Sequence, residues 1–544
     1  MKLNDKNNLE VKNRNFNKFN LLKNSNKTRI SYLIILCLGS FCFRLYFFPE
    51  DLPFIGDAVG YFWYANDMAI LGNFPESYIT KTVLSSPPNN GWPSFLSIFF
   101  SLIESNNFLD YVNTQRFLTV IISTLTIIPT YFLSKKFMET PYALICATAF
   151  AFAPRLIENS LLGLTEPLFL LLAIISLNLF LSEKKILIII SFAIAGLFSI
   201  VRYEGLLILV PLTIIFFLRF HKKRSDILKY GFAIGIFLLI IIPIAMIRIE
   251  TTGQDGLTSH LIHGPGYYVD VTNESGSYNQ LFHFLEKGST FLIQHIAFVS
   301  IPIFFIFIPY GVLEIFRKRD FKKWTIIIFG LVFLIPAFYA YSRGFQDTRY
   351  IIILYPIFCL TVGYTVRRIN LKIQKPKMIF LLTVIFIFSS SLVFTNYSIT
   401  DYEYEKEMYG ISKQIFEITD TVNRDYEGLM YMKWANEFVL SDEFPILQTE
   451  IKEKLGKSKT VILGKGTKNN FDNIDDYLSF AELEKMTHLI LDGRNLETKF
   501  LNEIFSNEEK FPYLIKIYDS HEKGFKKQVK VFKIDYKLMN DNFR

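Results

Sequence analysis

Four short stretches of the sequence place acidic and basic side chains inside or beside strongly apolar segments. They read FIGDAVGYFWYAND (54–67), APRLIENSLLGLTEPLF (153–169), VRYEG (201–205) and SRGFQDTRY (342–350). Carboxylates transfer protons and guanidinium groups bind anions, but each is costly in apolar surroundings unless it is paired or faces a water-filled cavity. The stretches together predict a polar cavity formed by Asp57, Arg155, Glu158, Glu166, Arg202, Glu204, Arg343, Asp347 and Arg349.

Each of these residues also has a simpler explanation. A single charge beside an apolar segment can extend to the membrane surface or form a structural ion pair. Asp57 follows Gly56 at the point where a helix is predicted to begin, so its carboxylate is a candidate N-cap. Gly60 provides no side chain for a capping box. On this local pattern alone, the cap is the better interpretation of Asp57.

The segment that follows Asp57 has a helical distribution of aromatic residues. Read as a helix, it places Asp57, Tyr61 and Tyr64 on one side, with Phe62 and Trp63 largely on the other. This pattern predicts an amphipathic helix that lies in the membrane interface.

The elements that must position these residues are membrane helices. Hydrophobic residues make up 51% of the chain and charged residues only 20%, and there are 56 phenylalanines. A window of membrane-helix length finds about eleven apolar segments, beginning with residues 30–48. We therefore predict an α-helical polytopic membrane protein with a transmembrane domain at residues 30–397.

Basic residues alternate between the predicted connections, which indicates their orientation. Pairs such as Lys135/Lys136, Lys184/Lys185 and Arg367/Arg368 mark the cytoplasmic side. The basic tail 1–29 is then cytoplasmic, and the long loops 49–110 and 249–290 are extracytoplasmic. Cytoplasmic loops facing anionic lipid explain the net charge of +8. Because basic and aromatic residues are not interleaved, no nucleic-acid partner is predicted. The expected location is the plasma membrane.

Residues 398–544 have a different pattern. Apolar runs of strand length occur as TVILG (460–464), HLILDG (488–493), YLIKIYD (513–519) and VKVFKID (529–535). Helical patterns at 404–421 and 473–484 lie between or before them. This part is predicted to be an α/β domain on the extracytoplasmic side.

The membrane part resembles the GT-C superfamily of polytopic glycosyltransferases. It is most similar to the branch with dolichyl-phosphate-mannose–protein mannosyltransferases and lipid A aminoarabinose transferases, especially archaeal members. The resemblance rests on the first-loop acid in FIGDAVGYFWYA (54–65), NNGWPSFLS (89–97), PRLIENSLLGLTEPLF (154–169), VRYEGLLIL (201–209) and DTRYIIILYP (347–356). These motifs occur in one order and extend to about residue 395.

The resemblance implies a mannosyltransferase-like reaction. A polyprenyl (dolichyl) phosphate carries the sugar, and a protein or glycan acceptor enters from the extracytoplasmic side of the bilayer. Asp57 would be the general base and Glu166 a second catalytic residue that orients the substrate or an arginine. The expected substrate-binding residues, of which Arg349 is the main phosphate ligand, are Tyr61, Arg155, Arg202, Glu204, His263 and Arg349.

Some features depart from the family pattern and leave alternatives open. Asp57 is not part of an adjacent acidic pair or a D-x-D motif, so no cofactor is certain and a divalent metal is only possible. His263 lies in HLIHGPGYY (260–268), a loop that we expect to cover the substrate. The tail has no WWD-type motif, which argues against an oligosaccharyltransferase proper. A transporter or flippase of lipid-linked glycans, an oligosaccharyltransferase-like enzyme and a membrane anchor for the external domain remain alternatives.

Overall fold

The computed structural model describes residues 26–53, 55–72, 74, 89–105, 108–220, 224–253, 255–258, 277–317, 320–398, 400, 402–419, 424–427, 473–483, 487–493 and 499–542. Its membrane part is helical throughout. The α-helices of this part are α1 Asn26–Tyr46, α2 Ala58–Leu71, α3 Gly91–Phe100, α4 Phe108–Leu125, α5 Ile127–Lys135, α6 Thr140–Ala151, α7 Pro154–Ser160, α8 Glu166–Phe180, α9 Lys185–Val201, α10 Leu209–Phe220, α11 Arg224–Thr252, α12 Ser277–Ser300, α13 Ile308–Arg317, α14 Phe321–Ser342, α15 Tyr355–Ile373 and α16 Pro376–Ser398. Short 3₁₀ helices at Tyr203–Ile208, Phe304–Ile306 and Thr348–Leu354 connect some of them.

The predicted multi-pass architecture is confirmed. Within the described ranges, seven helices are long and apolar enough to cross a membrane, or eight if α6 and α7 count as one bent span. Those two helices meet at 50°, where Pro154 starts α7. Three shorter apolar helices, α3, α8 and α9, add to this set, so the count agrees roughly with the prediction. The apolar stretch at residues 291–312 does not form one continuous helix, because α12 ends at Ser300 and α13 begins at Ile308.

Helix α2 is packed on both sides, and the predicted interfacial helix is therefore wrong. Phe62 and Tyr64 are completely buried although they lie on opposite sides of the helix, and Trp63 is also buried. Helix α3 packs along α2 and covers part of it. An interfacial helix would leave one face to solvent and the other to lipid. Helix α2 is instead part of the protein core, so packing holds the backbone that follows Asp57 in place.

The C-terminal part contains a small sheet covered by helices, as predicted. Its elements are α17 Glu403–Thr419, β1 Arg424–Glu427, α18 Ile474–Leu483, β2 His488–Asp492, α19 Lys499–Ser506, β3 Leu514–Asp519, β4 Val529–Ile534 and α20 Tyr536–Asn542, with 3₁₀ turns at Glu508–Lys510 and His521–Lys523. The strand order is β1-β2-β4-β3; β1 is parallel to β2, and the other pairs are antiparallel. Leu489 and Leu491 face α18 and α19, whereas Ile490 faces α17, which is the period-2 alternation of a strand. The predicted strand at 460–464 lies outside the described residues.

Glu508 makes the stability of this domain depend on pH. Burial alone would raise the pKa of Glu508, but bonds from Lys530 (2.6 Å) and Lys516 (2.9 Å) outweigh burial and lower it. A lowered folded-state pKa gives stability above the unfolded value of about 4.3, and that stability is lost as the pH falls through the folded pKa. We expect Glu508→Gln to flatten this acid-side loss, measured by hydrogen exchange of residues 499–534 in the full-length protein. Glu503→Gln, which removes the more exposed ion pair with Lys510, is the control. If Glu508→Gln lost stability at low pH as wild type does, Glu508 would not be the source of the pH dependence.

Candidate functional site

Asp57 forms an ion pair with Arg349, which lies 292 positions later in the sequence. Asp57 occupies the N-cap position of α2, but its side chain makes no capping hydrogen bond. Its Oδ2 instead accepts from Arg349 Nη1 at 2.8 Å. Arg349 Nε donates to Asp347 at 2.6 Å, and Asp347 also accepts from the Arg349 backbone N–H, which starts the 3₁₀ helix at Thr348–Leu354. The simpler interpretation of Asp57 as a helix cap is therefore not what its side chain does.

A second ion-pair cluster is centred on Arg202. This residue lies between α9 and the 3₁₀ helix Tyr203–Ile208. Its guanidinium donates to Glu166 at 2.5 Å and to Glu204 at 2.9 Å, and it also contacts the Thr165 hydroxyl at 3.5 Å. Glu166 is nearly fully buried, at 2% exposure. Because two carboxylates already occupy its donors, Arg202 is suited to fixing Glu166 and Glu204 in place.

The two clusters meet at one cavity, which Arg349 of the first cluster and the three charged residues of the second line together. Its polar lining consists of Glu166, Arg202, Glu204 and Arg349, together with Tyr350. The remaining lining is apolar and comes from Phe169, Phe333, Pro336, Ile352 and Ile353. The volume of this cavity is about 20 Å³. A ligand with a charged head and an apolar tail matches this division, because each part would meet its own kind of surface.

Tyr61 stands among the charges of both clusters. It lies one helical turn after Asp57 on α2 and is half-buried. Burial raises the pKa of the Tyr61 phenol well above its usual value; Asp57 and Glu166 raise it further, and Arg202 and Arg349 oppose them. The phenol therefore keeps its proton at neutral pH, and Tyr61 can donate a hydrogen bond but cannot act as a base.

The NNGW stretch supports the Arg202 loop through a close backbone contact. In the amide orientation that satisfies both neighbours, the side-chain oxygen of Asn89 accepts from the Tyr203 N–H at 2.9 Å. Its side-chain nitrogen then donates to the Gly256 carbonyl at 2.6 Å. Gly91 lies directly against the end of α9. A Cβ on Gly91 would lie 2.7 Å from Val201 N and 2.8 Å from Val201 Cα. Only glycine leaves room for this approach, one residue before Arg202.

We expect Gly91→Ala to lower both stability and activity. The added methyl meets backbone atoms, which cannot rotate away, so overpacking of about 1–3 kcal/mol and a displaced Arg202 follow. Thermal unfolding in detergent and the donor assay described below measure the two effects. Gly39→Ala in α1 is the control, since nothing lies within 4 Å of its added Cβ. Equal stability and equal activity of the two variants would show that the close contact at Gly91 matters for neither property.

Arg155 belongs to a different group of side chains. Its guanidinium pairs with Glu158 at 2.7 Å and lies over the rings of Phe298 (4.2 Å) and Phe394 (5.0 Å). Glu158 also accepts from Ser398. Among the described residues, no hydrogen bond or ion pair joins Arg155 or Glu158 to Asp57 or Glu166. Its role in substrate binding stays a prediction, as does that of His263, which lies outside the described residues.

Two contributors to the site had no predicted catalytic or binding role. Asp347, predicted only as part of the polar cavity, is the second acid on Arg349, and Asn159, which was not predicted at all, donates to Glu166 at 3.4 Å. The spacing of Asp347 and Arg349, two residues apart before an apolar run, is a signal that a capping aspartate also holds the arginine. Nothing local in the sequence indicates that Asn159 at the end of α7 meets Glu166 at the start of α8.

Comparisons with known proteins agree with this geometry at the level of the fold. No family model and no curated protein sequence matches the chain. Among solved structures, the Archaeoglobus fulgidus oligosaccharyltransferase tethered to an acceptor peptide containing the NVT sequon matches with a TM-score of 0.56 and 13% identity, over 87% of this chain and 70% of its own.

Two further structures carry lipids in their descriptions. The oligosaccharyltransferase AglB of Archaeoglobus fulgidus, in complex with an inhibitory peptide and a dolichol-phosphate, matches with a TM-score of 0.54 and 12% identity, over 90% of this chain and 72% of its own. ArnT from Cupriavidus metallidurans, bound to undecaprenyl phosphate, matches with a TM-score of 0.57 and 10% identity, over 94% and 98%. The protein therefore shares its fold with these oligosaccharyltransferase and ArnT structures, which agrees with the fold that its motifs predict.

Proposed function

We propose that the protein is an inverting glycosyltransferase that moves a sugar from a polyprenyl-phosphate donor to an acceptor on the extracytoplasmic side. The observation that supports this most is the cavity that Arg349 shares with the Arg202 cluster, which is lined by both charged and apolar side chains. A lipid phosphate has the matching division, with an anionic head and a hydrocarbon tail. The fold is shared with proteins whose descriptions name dolichol-phosphate and undecaprenyl phosphate.

Arg349 is the proposed ligand of the donor phosphate. Two of its nitrogens are held by Asp57 and Asp347, and within the described residues its Nη2 has no hydrogen-bond partner. Arg349 itself lines the cavity. A guanidinium in this position binds a phosphate oxygen and stabilises the negative charge that the phosphate gains as it leaves.

Binding of the phosphate would also prepare Asp57 for its role. Two guanidinium groups, Arg202 and Arg349, meet four carboxylates, those of Asp57, Glu166, Glu204 and Asp347. The local charge is therefore negative, and an incoming phosphate must compete with a carboxylate for Arg349. Asp57 is the more exposed of the two acids on that arginine, at 50% against 37%, so it is the one that leaves more readily.

The released Asp57 carboxylate acts as the general base. The acceptor hydroxyl oxygen attacks the anomeric carbon, its proton passes to Asp57, and the bond from that carbon to the phosphate oxygen breaks. Polyprenyl phosphate leaves, held by Arg349. Glu166 stays paired with Arg202 and orients the sugar, while the Tyr61 phenol donates a hydrogen bond to it.

The fold family implies a divalent metal, and the described residues do not fit one well. Within these ranges no three His, Cys, Asp or Glu side chains are grouped so that they could hold an ion. Asp57 and Asp347 are both bound to the Arg349 guanidinium instead. The reaction steps above therefore use this chain's own side chains.

The proposed orientation follows from the alternating basic connections. The tail 1–29 would be cytoplasmic in the plasma membrane, and the domain at 398–544 would stand on the side where the acceptor arrives. The same sheet domain is then placed to select or hold an acceptor. An oligosaccharyltransferase-like reaction is a second candidate, because a matching structure was solved with a sequon-containing acceptor peptide.

The test uses purified protein in detergent with polyprenyl-phosphate sugars, mannose first. Mass spectrometry follows the loss of sugar from the lipid in the presence of a Ser/Thr peptide, an oligosaccharide or a sequon peptide. Wild type is expected to release polyprenyl phosphate, and Asp57→Asn is the negative control. Micelles have no second compartment, so a transporter would leave the donor intact. Intact donor with every acceptor, combined with donor movement in proteoliposomes, would overturn the proposal.

A further inference from the structure

Gln115 links the two acid-bearing segments of the site through one amide group. It lies on α4 and is completely buried. Its Nε2 donates to the Ala58 carbonyl at 3.3 Å and to the Gly163 carbonyl at 2.7 Å. Ala58 follows Asp57 directly, and Gly163 precedes Glu166 by three residues. A side-chain amide has two N–H donors at a fixed angle, so this geometry sets the separation of the two segments.

The neighbours of Gln115 on α4 hold the same two segments. Arg116 donates to the carbonyls of Pro49 (3.1 Å), Leu52 (2.5 Å) and Pro53 (2.7 Å), all in the approach to Asp57. Thr119 donates to the Ser160 carbonyl at 2.7 Å, in the approach to Glu166. Helix α4 therefore holds the chain before Asp57 and the chain before Glu166. Gln115 contacts both of these segments at once.

The backbone conformation of Gly163 and the close approach of Gln115 both require glycine at this position. Its φ of +74° is a conformation that side chains other than glycine rarely adopt. A Cβ there would lie 3.1 Å from Gln115 Cγ. The same carbonyl also accepts from Trp92 Nε1 at 3.2 Å, so it connects α3 and α4 at one point.

The amide oxygen of Gln115 does not share in these contacts. Its Oε1 is buried and has no hydrogen-bond partner among the described residues. An unsatisfied buried acceptor destabilises a fold. The Asn178 amide oxygen is in the same situation, so what distinguishes Gln115 is the pair of segments that its Nε2 joins.

We propose that Gln115 is a positioning residue that sets the distance between Asp57 and the Glu166–Arg202 pair. The inference rests on the proposed function, because it gives that distance a catalytic meaning. Gln115 touches neither substrate nor reacting atoms; it acts through the backbone at Ala58 and Gly163. Loss of its amide leaves the ion pairs present but lets the two segments move relative to each other.

Gln115→Leu tests this role with a matched control. We expect kcat for donor discharge to fall about 10- to 100-fold, as misplacement of a catalytic group commonly does, with the donor KM unchanged and the melting temperature lowered by no more than in the control variant. Asn178→Leu is the control, since the Asn178 amide also donates to two carbonyls, Pro129 and Ile174, away from the site. Equal kcat in both variants would overturn the proposal.

A double-mutant cycle and an activity-independent measurement separate the possible failures. If Gln115 acts through Asp57, adding Gln115→Leu to Asp57→Asn changes kcat by less than about twofold, whereas multiplying effects would overturn the proposal. Hydrogen exchange of residues 55–62 is expected to be faster in Gln115→Leu than in Asn178→Leu. Unchanged exchange would refute the link itself. If Asp57→Asn retains full activity, the assigned base is wrong, and the exchange result still decides whether Gln115 holds the segment.

Discussion

Replacing Asp57 with asparagine is expected to lower kcat for donor discharge by about 10²–10⁴-fold, the usual contribution of a general base. Asparagine keeps the size of the side chain and an oxygen that can accept from Arg349, but it cannot take a proton. Removal of the negative charge leaves Arg349 more available to phosphate. The donor KM should therefore stay constant or fall, and a loss of kcat with no loss of binding is the signature of a group used in the transition state.

Asp347→Asn is the matched control for this prediction. It removes a carboxylate from the same arginine, at 2.6 Å instead of 2.8 Å, but Asp347 is also tied to the backbone N–H of Arg349. If pairing with Arg349 were all that mattered, the two variants would lose similar activity. The proposed roles require Asp57→Asn to lose much more. Comparable losses, or a larger one in Asp347→Asn, would transfer the role of base away from Asp57 and make Glu166 the next candidate.

The sequence predicts the elements of this protein better than the contacts between them. Hydropathy alone predicts the membrane helices, since burial in lipid demands long apolar runs. Alternation predicts strands β2, β3 and β4, and helical spacing predicts α17 and α18 to within a few residues at each end. These patterns are local, so a single sequence contains them in full.

The site depends on pairs that no local pattern encodes. Asp57 and Arg349 are 292 positions apart, and Glu166 and Arg202 are 36 apart. Apolar surroundings show that each charge needs a partner, but they do not show which one. Helix α2 is a similar case: its pattern predicts one exposed face, and the fold covers that face with α3. The Gly91 contact depends equally on a backbone that is distant in sequence.

The second large effect is expected from Arg349→Lys, a change that keeps the charge. An ammonium group is a point charge and cannot reproduce the fork that binds Asp57 and Asp347 and then exchanges Asp57 for a phosphate oxygen. We expect kcat to fall about 10²–10³-fold, as for the loss of one donor to a developing oxyanion. The donor KM should rise as well, because the phosphate is bound before it leaves. This joint change differs from the effect on kcat alone that is expected for Asp57→Asn.

Arg367→Lys provides a control within the same membrane span. Arg349 and Arg367 lie near opposite ends of Thr348–Ile373, and Arg367 pairs with Glu139 at 2.7 Å, a distance similar to that of the Asp57 pair. Loss of a guanidinium fork at that end should leave kcat and KM unchanged, because the Arg367 pair is half-exposed and contacts no cavity residue within the described chain. If Arg349→Lys keeps the wild-type donor KM, the phosphate is bound elsewhere. Arg202, on the same cavity, would then need to release Glu166 or Glu204 to bind it, and the proton-transfer step could no longer be coupled to the exchange of partners on Arg349.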